Sequence, residues 1–113
     1  MNDKSNLYLG HILDSCSNII EFTNDIDFQT FINKRLIQSA VIRELEIIGE
    51  ATKNLPDDIR KLSKDIPWKK LTGMRDKLIH EYFGVDIETI WDTIHGDLTP
   101  LKELITRIIT DLY

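Results

Sequence analysis

The residues Ile87, Trp91, Ile94, Leu98, Leu101, Ile105, Ile108 and Leu112 fall four and three apart in strict alternation. That spacing keeps all eight on one face of an α-helix; a β-strand, whose side chains alternate with a period of two, cannot use it. A stripe this long has to be buried against other elements, and upstream the same periodicity recurs with no convincing strand. From about Ser5, a good N-cap residue, Leu9, Ile12, Leu13, Cys16, Ile19 and Ile20 repeat at helical spacing. Asn24 to Asp27 reads as a break, after which Asp27 caps a second stretch that bends near Asn33 and runs to Leu55. Its apolar face is Leu36, Ala40, Val41, Leu45, Ile48, Ala51 and Leu55, and Pro56 stops it. Gly49 inside that stretch costs roughly 1 kcal/mol relative to alanine, which a close helix crossing would justify. Residues 57–63 form a short helix. Pro67 suits the first turn of the next, which runs to about Phe83 with Gly84 as its C-terminal cap. Asp86 caps the last helix, where Pro100 should introduce a kink that Gly96 eases. The fold class is therefore all-α, a compact helical bundle of about five helices, in a single domain over residues 1–113.

Composition narrows the setting. At 113 residues and 42% hydrophobic the chain can bury a core, though a modest one, so a dimer interface would add useful burial. The lone Cys16 allows no internal disulfide, the first residues lack the charged and apolar blocks of a signal peptide, and no apolar run is long enough to cross a bilayer. The expectation is a cytoplasmic protein with no membrane partner. The net charge of −5 argues against a nucleic-acid partner, but the charge is segregated. Residues 60–80 hold seven cations, Arg60, Lys61, Lys64, Lys69, Lys70, Arg75 and Lys77, against Asp65 and Asp76, so this segment is +5 and the remainder −10. Such a segment is either a local anion-binding patch or a solvated helix surface.

The segment Arg75-Asp76-Lys77-Leu78-Ile79-His80-Glu81-Tyr82 carries the chemistry. Arginine offers a permanent charge in a planar fork that binds phosphate oxygens bidentately. Histidine titrates near neutrality and can move a proton to or from a ribose hydroxyl. Tyrosine adds a hydroxyl and a ring face for a base. Spacing alone is weak, because an arginine followed by a histidine five to seven residues later arises by chance in roughly 0.4 of such chains; adding the tyrosine lowers this to about one per cent. In one straight helix Arg75 and His80 are about 140° apart, whereas Arg75 and Tyr82 lie within about 20°. Asp76 is one turn from His80 and is placed to orient its ring. Two copies about a two-fold axis would aim both Arg75 and both His80 at one cleft.

The run Ile66-Pro67-Trp68 and then Gly73 to Asp86 resembles the signature segment of the HepT-like proteins of the HEPN superfamily, as do Leu45 to Ala51 upstream and Ile90-Trp91 downstream. The resemblance spans nearly the whole chain. It implies a metal-independent ribonuclease toxin that acts on RNA as a homodimer, needs no cofactor, and is paired with an MntA-like nucleotidyltransferase antitoxin. It further implies Arg75 and His80 as the catalytic pair, Asp76 as a supporting polar residue, and Tyr82 as the tyrosine that receives AMP. The rival reading is a non-catalytic HEPN module that binds a small nucleotidyltransferase; a plain helical dimerisation domain is the third. Lys69, Lys70 and Lys77 are candidate RNA contacts. No metal site is expected, since His11 and His95 stand far from His80 in sequence. His11 reads as a surface residue, Cys16 as core, Trp68 and Trp91 as packing residues with Trp68 close enough to the motif to stack a base, and Glu44, Glu46 and Glu50 as a solvated or interface helix edge.

Overall fold

The computed structural model describes residues 3–80 and 86–112, the side chains of Asp3 and His80 excepted. Among them are six helices and no strand: α1 (Asp3–Phe22), α2 (Phe28–Asn33), α3 (Arg35–Asn54), α4 (Asp57–Arg60), α5 (Trp68–His80) and α6 (Ile87–Leu112). The expected all-α bundle is what forms, with one helix more than the periodicity suggested. The extra one comes from the expected bend near Asn33, which is a full break. Lys34 leaves the helical region at φ −115°, ψ 83°, and the carbonyl of Phe31 is satisfied across the gap by the Lys34 N–H and the Gln38 side-chain amide.

Local chemistry explains most boundaries. Asp27 accepts from the Thr30 N–H at 2.8 Å, and Asp86 accepts from the Glu88 N–H and the Thr89 hydroxyl, each at 3.0 Å, so both expected caps are made. Ser5 is not a cap: α1 begins earlier, at Asp3, and Ser5 is buried inside it. The short helix ends at Arg60 rather than Ser63, because the Trp68 indole N–H reaches back to the carbonyls of Arg60 and Ser63, at 2.9 and 3.0 Å. Pro67 stands just before α5, its carbonyl accepting from the Leu71 N–H. The expected end of that helix near Phe83 and its Gly84 cap lie outside the described residues. Pro100 sits within an unbroken α6. It has no N–H for the carbonyl four residues back, which belongs to Gly96, an exposed residue where water can take its place.

The α6 stripe is the spine of the core: Ile90, Ile94, Leu98, Leu101, Ile105 and Ile108 are buried, facing Leu9, Ile12, Cys16 and Ile19 of α1. Each such side chain contributes roughly 1.5–3 kcal/mol through removal from water. Helix α3 lies between α1 and α5, with Val41, Leu45, Ile48 and Ala51 buried. Leu36, expected on that face, is instead 83% exposed, because five residues of the same helix separate it from Val41 and place it about 140° round the axis from the buried stripe. Phe28, Phe31 and His95 gather around Trp91, with ring centroids 5.8, 5.1 and 4.2 Å from it. Glu44 is not on a solvated edge either: it is buried between α1 and α3, accepting from Asn18 Nδ2 at 2.7 Å and Ser15 Oγ at 3.5 Å.

Candidate active site

Gly49 decides where Arg75 goes. A Cβ at position 49 would stand 2.1 Å from Arg75 Cβ, 2.8 Å from its Cγ and 3.0 Å from the Leu71 carbonyl oxygen. Only a residue without a side chain lets α5 approach α3 this closely, so the glycine marks the crossing expected from sequence, and the residue crossing it is the motif arginine. The neighbouring residue on α3 and Asp76 then fix the guanidinium. Glu50 Oε2 pairs with one terminal nitrogen at 2.7 Å, and Asp76 Oδ1 accepts from the other at 2.9 Å. Asp76 Oδ1 also meets Lys53 Nζ at 3.3 Å. Glu50 and Lys53, three apart on α3, thus hold Arg75 and Asp76, adjacent on α5.

The electrostatics follow from this chain of alternating charges. The hydrogen bond to Asp76 raises the already high Arg75 pKa, with Glu50 adding to it. The same bond, then the one from Lys53, holds the Asp76 carboxyl below the usual carboxylate range. Arg75 is 21% exposed at its side chain, and its Nε is buried with no hydrogen-bond partner among the described residues. A guanidinium so held is fixed in orientation, with both terminal nitrogens engaged by carboxylates.

Arg75 borders an open cavity of about 270 Å³ between α1, α3 and α5. Tyr8 and His11 of α1 line one wall, their rings edge-to-face with centroids 6.3 Å apart. Arg43, Glu46 and Glu50 of α3 line another, and Ile79 joins Arg75 from α5. His11 is an exposed helix residue as expected, but this cavity is what it faces.

Of the other sequence candidates, His80 is the last residue of α5, its side chain outside the described set, and Tyr82 lies outside the described residues altogether. Any contact of Asp76 with the His80 ring is likewise outside them. Lys70 is tied to Asp97 of α6, whereas Lys69 and Lys77 are exposed and have no ion pair among the described residues. Trp68 is a packing residue, its indole N–H spent on two backbone carbonyls. Cys16 is core, and burial pushes its thiol pKa up to about 12. The described residues contain no cluster of three or more His, Cys, Asp or Glu arranged to hold a metal, and no helix long and apolar enough to cross a membrane.

Sequence reasoning missed the bed under Arg75, namely Glu50 and Lys53, and the cavity beside it. For the cavity wall a signal was present as a second stripe on α3, since Arg43, Glu46 or Ile47, Glu50 and Asn54 recur at three- and four-residue steps beside the apolar one; for the pairing with Arg75 there was none.

The family model for "Ribonuclease HepT-like" matches residues 12–108. A protein of Methanocaldococcus jannaschii named as a putative RNase is 50% identical over 105 residues, covering 93% of this chain and 90% of the relative. One from Caldanaerobacter subterraneus subsp. tengcongensis, also named as a putative RNase, is 46% identical over 90% of this chain and 91% of its own length. A Thermococcus cleftensis protein named "Probable ribonuclease HepT" is 50% identical over 84% of this chain and 86% of its own length. No solved structure matches. An all-helical bundle with an arginine locked at a helix crossing defines the class, and the chain belongs to the ribonuclease HepT-like family.

Proposed function

We propose that this chain is an endoribonuclease of the HepT type, that it is the toxin of a toxin–antitoxin pair, and that it cleaves RNA without a metal ion at a site shared by two protomers. The observation that carries the reading is the Arg75 guanidinium, fixed by Gly49, Glu50 and Asp76 at the rim of an open cavity. The names of the relatives support the same activity. In this mechanism His80 takes the proton from a ribose 2′-hydroxyl, and that oxygen attacks the adjacent phosphorus. Arg75 stabilises the charge that builds on the pentavalent phosphorus. The bond from phosphorus to the 5′-oxygen breaks, and His80 of the second protomer supplies the leaving oxygen with a proton. The products are a 2′,3′-cyclic phosphate and a 5′-hydroxyl, and DNA, which has no 2′-hydroxyl, is inert.

Control is assigned to an MntA-like nucleotidyltransferase that transfers AMP from ATP to the Tyr82 hydroxyl, releasing pyrophosphate. The phosphodiester adds about one negative charge and a bulky nucleoside two residues after His80 in the sequence, next to the pair that has to receive the substrate phosphate. The test is cleavage of labelled RNA by purified wild type, Arg75→Ala and His80→Ala, with circular dichroism to confirm folding. Loss of cleavage in both folded variants is expected. Full cleavage by either variant refutes the assignment, and uncut RNA with wild type alongside tight nucleotidyltransferase binding favours the non-catalytic module.

A further inference from the structure

We propose that the cavity between α1, α3 and α5 is a nucleobase subsite selective for guanine, taking the base of a nucleotide whose phosphate meets Arg75. The proposal rests on the ribonuclease reading for its place beside a scissile phosphate, but its recognition chemistry stands on the cavity alone. At about 270 Å³ the cavity lies just below the ~300–1,000 Å³ of sites that enclose a small organic ligand, a size suited to one base. The Tyr8 and His11 rings supply aromatic surface on one side, and Ile47 and Ala51 supply apolar surface from α3. Base-on-aromatic contact of this kind is tolerant of sequence, so selectivity has to come from the polar groups.

Those groups are specific. Arg43 and Glu46 stand three apart on α3 and both line the cavity, yet neither makes a side-chain hydrogen bond or ion pair among the described residues. Glu50, by contrast, is occupied by Arg75, and the Asn54 amide nitrogen by Glu50. The charged side chains left unspent in the cavity on α3 are therefore one carboxylate, which accepts two hydrogen bonds side by side, and one guanidinium, which donates two; the Tyr8 hydroxyl, the His11 ring nitrogens and the Asn54 side-chain oxygen, also without a hydrogen-bond partner among the described residues, add single polar contacts. Guanine is the RNA base that answers both: its Watson–Crick edge offers the adjacent N1–H and N2–H donors, and its other edge the O6 and N7 acceptors that arginine takes bidentately. Adenine, with a single amino donor flanked by acceptors, would set its N1 lone pair against the Glu46 carboxylate. Uracil has one donor, and cytosine an amino group beside an acceptor.

The experiment is equilibrium binding of the 3′- and 5′-monophosphates of guanosine, adenosine, cytidine and uridine to the full chain, followed by calorimetry and by amide NMR shifts. A bidentate pair discriminates by about tenfold or more, so guanosine monophosphate should bind at least about tenfold tighter than the other three and shift the amides of residues 8, 11, 43 and 46. Glu46→Gln, which turns one acceptor into a donor, should remove that preference. Arg43→Ala, at an exposed position, tests it independently should the first variant fold poorly, and Glu103→Gln on exposed α6 surface should leave it unchanged. Binding that differs by less than twofold among the bases, or a guanine preference surviving both variants, overturns the proposal. The two readings fail separately: RNA cleaved with no guanine preference in binding sinks the subsite and spares the nuclease, whereas guanine-selective binding by a protein that leaves RNA intact does the reverse.

Discussion

Replacing Gly49 with alanine should destabilise this protein, although the same change in an ordinary helix interior stabilises it. Alanine gains about 1 kcal/mol over glycine in helix propensity. Here the added methyl would sit 2.1 Å from Arg75 Cβ and 3.0 Å from the Leu71 carbonyl, both fixed to the backbone of α5. An ordinary carbon–carbon contact is about 3.5–4.0 Å, so α3 and α5 must separate locally by about 1.5 Å. Overpacking of this kind costs about 1–3 kcal/mol, and the carbon–carbon distance places it at the upper end. The net loss is then about 2 kcal/mol, or about 8 °C in Tm at about 4 °C per kcal/mol for a chain of this size. Gly73, two residues before Arg75 on the same helix, is the matched control: nothing among the described residues lies within 4 Å of its added Cβ, and Gly73→Ala should raise Tm by a few degrees. The displacement also moves Arg75, and a shift of about 1 Å at a reacting group can cost about a hundredfold in rate. Thermal melts of the two variants, with RNA cleavage rates measured below both transitions, form the assay. A Gly49→Ala protein as stable and as active as Gly73→Ala would refute the close crossing and the positioning built on it.

If the site is shared and both His80 side chains act, excess inactive His80→Ala chains should suppress wild-type cleavage by forming mixed dimers with a single His80; an active monomer on a calibrated sizing column would contradict this. Because Arg75, then Lys53, depresses the Asp76 carboxyl, the stabilisation from that pairing is complete above about pH 4 and is lost as pH falls through the lowered folded value. Asp76→Asn should therefore melt below wild type by a constant margin from pH 5 to 8 that narrows in stronger acid, and a margin that changes between pH 5 and 7 would point to another group. Tyr82→Phe should keep much of the cleavage activity and gain no AMP mass when incubated with the cognate nucleotidyltransferase, ATP and magnesium; labelling equal to wild type would place the modification elsewhere.

Helix α6 was legible in full because one uninterrupted stripe faces one core, and caps such as Asp27 and Asp86 were legible because their partners are two or three residues away. Errors arose in two ways. Leu36 was counted into the α3 stripe although it lies about 140° round the same helix from Val41, and it faces solvent; Glu44 looks like a surface acid until long-range packing brings Asn18 and Ser15 of α1 against it. Arg75 was legible as a motif residue, and the costly Gly49 foretold a crossing, but that these two positions meet is a fact of tertiary structure. The pairing of Glu50 with Arg75, 25 residues away, has no local signature, and the Tyr8–His11 wall of the cavity comes from a third helix.

The central claim is that Arg75 and His80 cleave RNA through its own 2′-hydroxyl without a metal. The most direct measurement is mass spectrometry of the fragment ends left on a short synthetic RNA in excess EDTA, beside an identical RNA carrying a single 2′-deoxy sugar at the cleavage position. The account predicts a 2′,3′-cyclic phosphate and a 5′-hydroxyl on the first RNA and no cut at that position in the second. A 3′-hydroxyl with a 5′-phosphate, or cleavage that vanishes in EDTA and returns with added metal, would contradict it.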